Sequence, residues 1–487
     1  MTPDFPQLRP ALAPMSARSA KAVLKPLRQA TLAQIEARLG PLLPAGCLDN
    51  HEAKGHSRER LLPLHRTFWC WLWQILQCNT SCREVLKQVA LLFALQGRSL
   101  DENSSAYCQS RKLILPGLVE RLYPHVAQAA FRLAPGSTRL QGRRLKALDG
   151  TCVRLADTPK NQKAFPQPGS QHPGAGFPVM KIVALFCVAS GAILGHVTGN
   201  LWTSEISLAA RLAGSLVAGD VLIVDRGFCT YAWAALLETL GVGVIARVPT
   251  TIRRIDFRKC QRRLGSRDAL FGWQKNRKPC CWMPLAQWLG LTETLTVRIL
   301  QVRLHGAGSR VKTITLMTTL LDPALYPARE IAEAYQLRWR EEMCFDDLKT
   351  TLGMAHLKCL SPDMVSKEAG MFLLAHNFLR CLMAQAAARA RINPEQISFK
   401  GTLDGFRHCS AAMAQAKSKA RRLAVWAEFM AGLAADRLPV RPGRLEPRAV
   451  KRIIKYPKLT THRSRYKDRM SRNTRRRHAR KRRANLI

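Results

Sequence analysis

Residues Val221-Leu222-Ile223-Val224 form an apolar run with no polar alternation, and Asp225 follows at once. Such a run suits a strand buried on both faces, which needs helices on each side of its sheet. A helix read over 231–240 and a further apolar strand over 242–248 come next. Alternating strand, helix and strand specifies α/β architecture with parallel strands. The segment LKALDGTCVRLA at 145–156 reads as a companion strand with Asp149 near its end. A carboxylate against an apolar strand is costly unless something cationic compensates it. Two of them in one α/β domain suit a divalent-metal site, because Mg²⁺ takes hard oxygen ligands and bridges phosphate oxygens. Asp149-Gly150 and Asp225-Arg226-Gly227 are also turn sequences, and each taken singly reads as a turn.

The remaining segments are arranged around this core. Residues 1–140 read as helical: an amphipathic stretch at 19–39, then Phe68-Trp69-x-Trp71-x-Trp73 opening an apolar-periodic run to about residue 95. The tryptophans sit among Leu, Ile and Val and read as core. Tyr107-x3-Arg111-Lys112 is a small basic cluster that suits either DNA phosphates or a solvated helix face. A Pro/Gly-rich connection at 158–178 is long for a compact domain, a mark of functional or disordered segments. Strands at 179–190 and 193–198 and an amphipathic helix at 204–216 complete a first core part, 141–248. Residues 249–320 break the alternation with a basic, mostly β insertion that holds Trp273, Trp282 and Trp288. The second core part, 321–390, holds a long helix opened by Pro327 and running through 352, and another at 363–388. A helical region at 391–450 and a basic tail at 451–487, read as a disordered DNA-binding arm, complete the chain.

Charge identifies the partner class. The 487 residues carry 77 Lys+Arg against 33 Asp+Glu, a net charge of +44. Sixteen Lys/Arg and one Asp in residues 451–487 account for +15, so residues 1–450 are basic in their own right. Self-repulsion of this size calls for a polyanionic partner, and nucleic acid is the default. With 47% hydrophobic residues there is apolar surface for a core, which excludes wholesale disorder. The longest apolar run, 182–195, is too short to span a bilayer, where ~20 residues are needed. The first thirty residues lack the apolar segment of a secretory leader. Fifteen Cys form no repeating framework, and Cys78-x3-Cys82 and Cys280-Cys281 lack a second pair at zinc-site spacing. They read as reduced thiols of a cytoplasmic, nucleoid-associated protein with no membrane partner.

The sharpest signal lies in AEAYQLRWREEMCFDDLKTTLG, where Tyr335, Arg338, Glu342 and Lys349 are spaced Y-x2-R-x3-E-x6-K. On a continuous α-helix these four return to nearly one azimuth. A stripe of phenol, guanidinium, carboxylate and ammonium is either an ion-paired surface, with Arg338 and Glu342 at i,i+4, or a site. For a phosphate substrate, Glu342 completes the metal site, and Tyr335, Arg338 and Lys349 grip the backbone around the scissile bond. Glu341 and Asp346 are rivals for the ligand role: Glu341 lies ~100° round the helix and faces elsewhere, whereas Asp346 shares the face one turn on.

These spaced residues, with LDGTCVRLADTPKNQKAFPQPGS, GDVLIVDRGF and TTLLDPALYP, resemble the DDE transposases of bacterial insertion sequences, the insertion-sequence-four family. The resemblance runs in order and spacing from about residue 107 to 380. It implies an RNase H-like catalytic core with a mostly β insertion between the second Asp and the Glu. In this chain that core is accompanied by an N-terminal helical domain, expected to bind DNA ends, and by the basic C-terminal tail. The resemblance puts the catalytic, metal-holding triad on Asp149, Asp225 and Glu342, with Mg²⁺ (or Mn²⁺) as cofactor, two ions ~3.5–4 Å apart.

The implied reaction cuts double-stranded DNA at the element's terminal repeats and joins the freed 3′-OH to target DNA, with a homodimer expected across paired ends. Studied relatives pass through hairpin ends, a step that flips a base onto an aromatic side chain. Trp273, Trp282 and Trp288 lie in the insertion that would supply it, and each also suits a core role. Arg226, beside Asp225, joins Tyr335, Arg338 and Lys349 among the expected DNA contacts. One departure is His376-Asn377, where many relatives carry Tyr-Asn. Two other readings stand beside this one. A DNA-binding regulator would be expected to have lost a triad carboxylate, and none is missing; a Mg²⁺-dependent nuclease on the same fold would differ in its products alone.

Overall fold

The computed structural model describes residues 31–49, 62–94, 103–134, 139–249, 255–303 and 313–439. The basic tail expected at 451–487 and the start of the amphipathic stretch at 19–39 lie outside the described residues. The chain forms two compact units, one holding residues 135–350 and 354–369, the other 1–134, 351–353 and 370–438. Among the described residues no helix is long and apolar enough to cross a membrane.

The helical unit begins with α1 (Thr31–Leu39), α2 (Leu64–Leu76), α3 (Cys82–Ala94), α4 (Ser105–Lys112) and α5 (Pro116–Leu133). The tryptophans of α2 are core, with Trp71 fully buried. Arg111 stacks on Trp71, 4.9 Å from guanidinium carbon to ring centroid, and is itself buried. The Arg111-Lys112 cluster is therefore no phosphate-facing pair: the long apolar stem and flat head of Arg111 pack on an indole, and Lys112 alone is exposed.

The second unit is a mixed α/β body. In chain order it holds β1 (Arg139–Leu140), β2 (Arg143–Leu155), α6 (Pro159–Ala164), β3 (Val179–Cys187), β4 (Ile193–Gly199), α7 (Glu205–Ala210), β5 (Val221–Val224), α8 (Tyr231–Thr239) and β6 (Gly243–Arg247). There follow β7 (Arg262–Gly265), β8 (Asp268–Gln274), α9 (Leu285–Leu289), β9 (Thr294–Arg303), β10 (Thr313–Thr318), α10 (Ala328–Gln336), α11 (Trp339–Asp346) and β11 (His356–Leu357). The sheet runs β4-β3-β2-β5-β6-β10-β9-β8-β7, with β1 and β11 added to β2. Pairing is parallel at β2–β5, β5–β6 and β2–β11 and antiparallel elsewhere. The basic segment read as an insertion thus contributes strands that extend the same sheet.

Both faces of β5 are covered, as its unbroken apolar run requires. Leu222 and Val224 face a cluster built with Trp233 and Leu237 of α8 and Leu208 of α7. Val221 and Ile223 face the opposite cluster, with Ile331, Ala334 and Tyr335 of α10. Asp220, fully buried at the head of β5, pins the parallel register. It accepts from Arg144 Nε at 3.0 Å and pairs with Lys146 Nζ at 2.7 Å, both from β2. Along the extending strands, buried Arg298 of β9 pairs with Asp268 of β8 and donates to the Tyr326 carbonyl at 2.6 Å.

The connection at 158–178 is ordered, which leaves the functional of its two readings: Thr158 caps α6 by accepting from Asn161 N at 3.1 Å, and Gln162 donates to the Gly176 carbonyl at 3.0 Å. Two expectations are corrected. The helix expected at 204–216 is the short α7 followed by a 3₁₀ turn, Ala213–Ser215. Arg211 and Leu212 already bond to carbonyls three residues back, which tightens and ends the α-helix. The long helix expected from 327 to 352 is broken into α10, α11 and a π-helical turn at Asp347–Thr351.

The final helices are α12 (Pro362–Ala390), α13 (Phe399–Gln415) and α14 (Lys419–Ala435). The part of α12 from Gly370, with α13 and α14, belongs to the helical unit. There Asn377 donates to the Tyr123 carbonyl at 2.7 Å, and His376 is buried against Phe399.

Candidate active site

The β2–β5 ladder runs from Leu145↔Val221 to Leu148↔Val224. Asp149 and Asp225 are the next residues, so the two carboxylates stand side by side where the ladder stops. β2 continues, paired with β3 as far as Arg154. Asp149 therefore lies in mid-strand rather than near the strand's end, and Gly150 is not a turn residue. β5 instead gives way to a 3₁₀ turn, Arg226–Phe228, in which Phe228 N donates to the Asp225 carbonyl at 3.1 Å and Arg226 is exposed.

Gly150 makes room for a further carboxylate. A Cβ at this position would stand 2.9 Å from Cδ and Oε1 of Glu205. Glu205, in the first turn of α7, carries no sequence signal; only the topology brings it to β2. Asp149 Oδ1 accepts from Gly150 N at 2.8 Å. Burial pushes the Asp149 carboxyl up to about 6; the Gly150 N–H and Arg338 pull it down, and the charges of Asp225 and Glu205 raise it further.

The Y-R-E-K segment is reshaped by its own hydrogen bonds. Leu337, Arg338, Arg340 and Glu341 each donate to the carbonyl three residues back. Each such step turns the chain ~120° instead of ~100°. The accumulated rotation brings the seam between Glu341 and Glu342, so Glu341 does not face elsewhere as a continuous helix would have it. Arg338 holds both carboxylates: Nη1 donates to Glu341 Oε1 at 3.0 Å and Nη2 to Glu342 Oε1 at 2.8 Å.

The two glutamates differ sharply in setting. The Glu342 side chain is 43% exposed, whereas Glu341 is fully buried and its Oε2 has no hydrogen-bond partner. Burial, and then the charge of Asp149, push the Glu341 carboxyl well above the usual range. Tyr335 is buried beside this group, and burial pushes its phenol up to about 12. Lys349, on the π-helical turn, donates from Nζ to Thr151 Oγ1 at 3.1 Å. Thr151 stands two residues from Asp149, on the same face of β2.

The three tryptophans pack elsewhere in this unit. Trp288 is buried, and its ring meets Tyr231 edge-on at 6.5 Å; Trp273 meets Tyr231 at 6.0 Å and Trp282 meets Trp233 at 6.2 Å. All three thus line α8. An exposed indole instead lies next to Arg338: Trp339 is 59% exposed, with the guanidinium 5.4 Å from its ring centroid.

Among the described residues no three His, Cys, Asp or Glu side chains already stand close enough to share an ion. The donor set nevertheless suits a hard divalent cation. Asp149, Asp225, Glu205, Glu341 and Glu342 offer oxygens of one charge, one of them a buried orphan. Mutual repulsion and desolvation at Asp149 and Glu341 are what a bound cation relieves. Asp149, Asp225 and a glutamate of α11 are the groups that would hold it.

Comparison with known proteins agrees with the geometry. Residues 140–378 match the family described as Transposase DDE domain. Over 408 residues the chain is 26% identical to transposase InsG of insertion sequence element IS4 from Escherichia coli K12, covering 82% of this chain and 88% of that protein. A piggyBac transposase synaptic complex with hairpin DNA aligns over 84% of this chain and 85% of its own, at 8% identity and a TM-score of 0.39, a likeness too distant to transfer any residue's role. The chain belongs to the DDE transposases, enzymes that cut and join DNA with divalent metal ions, and is of the IS4 type.

Proposed function

We propose that Asp149, Asp225 and Glu342 are the catalytic carboxylates of a cut-and-paste reaction at the ends of an insertion sequence. The observation that carries this reading is the pair of aspartates on adjacent parallel strands, faced by Arg338 with its two glutamates. The mixed sheet with Asp149 in mid-strand supports an RNase H-like description of the core. The ions, two Mg²⁺ or Mn²⁺ in our reading, supply Lewis acidity to the phosphoryl oxygens and to the attacking oxygen. The chain's own residues do the rest. Arg338, already bound to two carboxylates, is placed to exchange Glu342 for a phosphate oxygen as Glu342 turns to the aspartates. Lys349 and exposed Arg226 flank the pair and would neutralise the DNA backbone on either side of the scissile bond. Tyr335, its phenol kept protonated by burial, accepts from Arg338 and keeps its own O–H free to donate.

The finer steps are part of the proposal. A freed 3′-OH attacks target DNA, and two copies of the chain act on paired terminal repeats. If hairpin ends form, a flipped base needs an exposed ring. Trp273 and Trp282 keep part of their surface open, while Trp288 would have to leave the core. The test is a Mg²⁺-dependent assay on supercoiled DNA carrying the gene with its native flanks, wild type beside Glu342→Ala. Excision with joined products from wild type alone supports the reading. Specific binding without cleavage by either protein would indicate a regulator, and cleavage without joining a nuclease.

A further inference from the structure

We propose that Cys108 and Cys82 form a hydroperoxide-oxidisable dithiol in the helical unit, a modification site that closes to an intramolecular disulfide. Cys82 is the first residue of α3 and Cys108 lies in the middle of α4. Their Sγ atoms share a thiol hydrogen bond across 4.0 Å. Arg111, one turn along α4, points Nη2 at Cys108 Sγ from 3.8 Å. Its guanidinium is fixed in place by stacking on Trp71 and Tyr107, at 4.9 and 5.1 Å from the ring centroids. Gln74 of α2 donates to Cys82 Sγ at 3.8 Å, and is itself held by Tyr107 Oη at 3.0 Å.

The pair therefore has a built surround: a fixed cation on one sulfur and an amide on the other. Both thiols are half-buried, which leaves them within reach of a small oxidant. The hydrogen bond from Cys82, followed by Arg111, brings the Cys108 thiol down to about 6, whereas burial pushes Cys70 and Cys229 up to about 12. Thiolate character and access together select the site of oxidation.

The chemistry balances with one hydroperoxide as oxidant. The Cys108 thiolate attacks the terminal oxygen, the O–O bond breaks, and the alkoxide leaves to take up a proton as alcohol. Cys108 is now a sulfenic acid. Cys82 sulfur attacks Cys108 Sγ, the S–O bond breaks, and the departing hydroxide takes the Cys82 thiol proton to leave as water. Two thiols lose two electrons and the peroxide gains them. The bridge would staple the start of α3 to α4.

The test uses the full-length reduced protein, treated with stoichiometric hydrogen peroxide, quenched by alkylation and mapped by mass spectrometry without reduction. The expected first product is the Cys82–Cys108 linked peptide, with Cys108 reacting on the order of tenfold faster than exposed Cys281. Cys82→Ser should trap Cys108 as a sulfenic acid that dimedone labels, and Cys108→Ser should leave Cys82 unoxidised. Earlier oxidation of Cys281 or Cys78, or a Cys108 rate no faster than theirs, would overturn the proposal.

Discussion

Leu148 and Val224 face each other as the last pair of two parallel strands, which delivers Asp149 and Asp225 side by side at the point where one strand continues and the other turns away. Nothing about the two aspartates themselves fixes this. It follows from a register held at the far end of the strands, where buried Asp220 joins Arg144 and Lys146.

Asp225→Asn should therefore abolish cleavage while sparing DNA binding. The substitution keeps the size of the side chain and removes a charge that acts on Asp149. Gel-shift and plasmid-cleavage assays on the same preparation separate the two effects. Retained cleavage would remove Asp225 from the metal site.

The pH dependence of stability has a defined sign. The Asp149 carboxyl sits at about 6 in the folded protein against 3.8 in the unfolded chain. Between those values the folded state holds more protons than the unfolded one, so this group's contribution to stability falls as pH rises through the window. A divalent cation competes for the same oxygens and reverses the effect above pH 6. Melting temperatures in EDTA and in Mg²⁺ should diverge as pH rises from about 5 to about 7. Parallel curves would show that Asp149 does not meet the ion.

The family was legible because its signal is a set of residue types at set intervals, which survives without any structure. The two-sided burial of β5 was legible for a related reason, since an unbroken apolar run admits few other settings. Glu205 was not legible, because its approach to Gly150 depends on where α7 packs against β2. The placement of Glu341 departs from a uniform helical wheel for a local reason: Leu337 and Arg338 bond to carbonyls three residues back, which overwinds the helix just before the glutamates. The tryptophans of 249–320 were correctly located in sequence, but their packing on α8 is a tertiary fact.

Glu341→Gln should raise the melting temperature of the metal-free protein. A buried carboxylate with one orphan oxygen costs more than a buried amide, and the gain expected is about 1–2 kcal/mol. The same change should weaken Mn²⁺ binding measured by calorimetry, since Arg338 would keep Glu342 alone. Unchanged Mn²⁺ affinity would confine Glu341 to a structural role.

Deleting residues 451–487 removes sixteen Lys/Arg. Binding should weaken for all DNA sequences alike, and the slope of log affinity against log salt should flatten. An unchanged slope would mean that the tail does not touch phosphates.

Gly150→Ala tests the crowded wall of the site without altering any charge. The new methyl would stand 2.9 Å from Cδ and Oε1 of Glu205, closer than van der Waals contact permits. Either the strand or the glutamate must move, at a cost of about 1–3 kcal/mol. Adding Glu205→Ala should restore most of that loss, because the space taken by the methyl is then free. The two single variants and the double variant, compared by denaturant midpoint, form a cycle whose coupling measures this contact. Additive effects would show that Gly150 is required for some reason other than Glu205. Strong coupling in stability, with cleavage still low in the double variant, would make Glu205 part of the carboxylate group that acts on DNA rather than a neighbour that merely fills space.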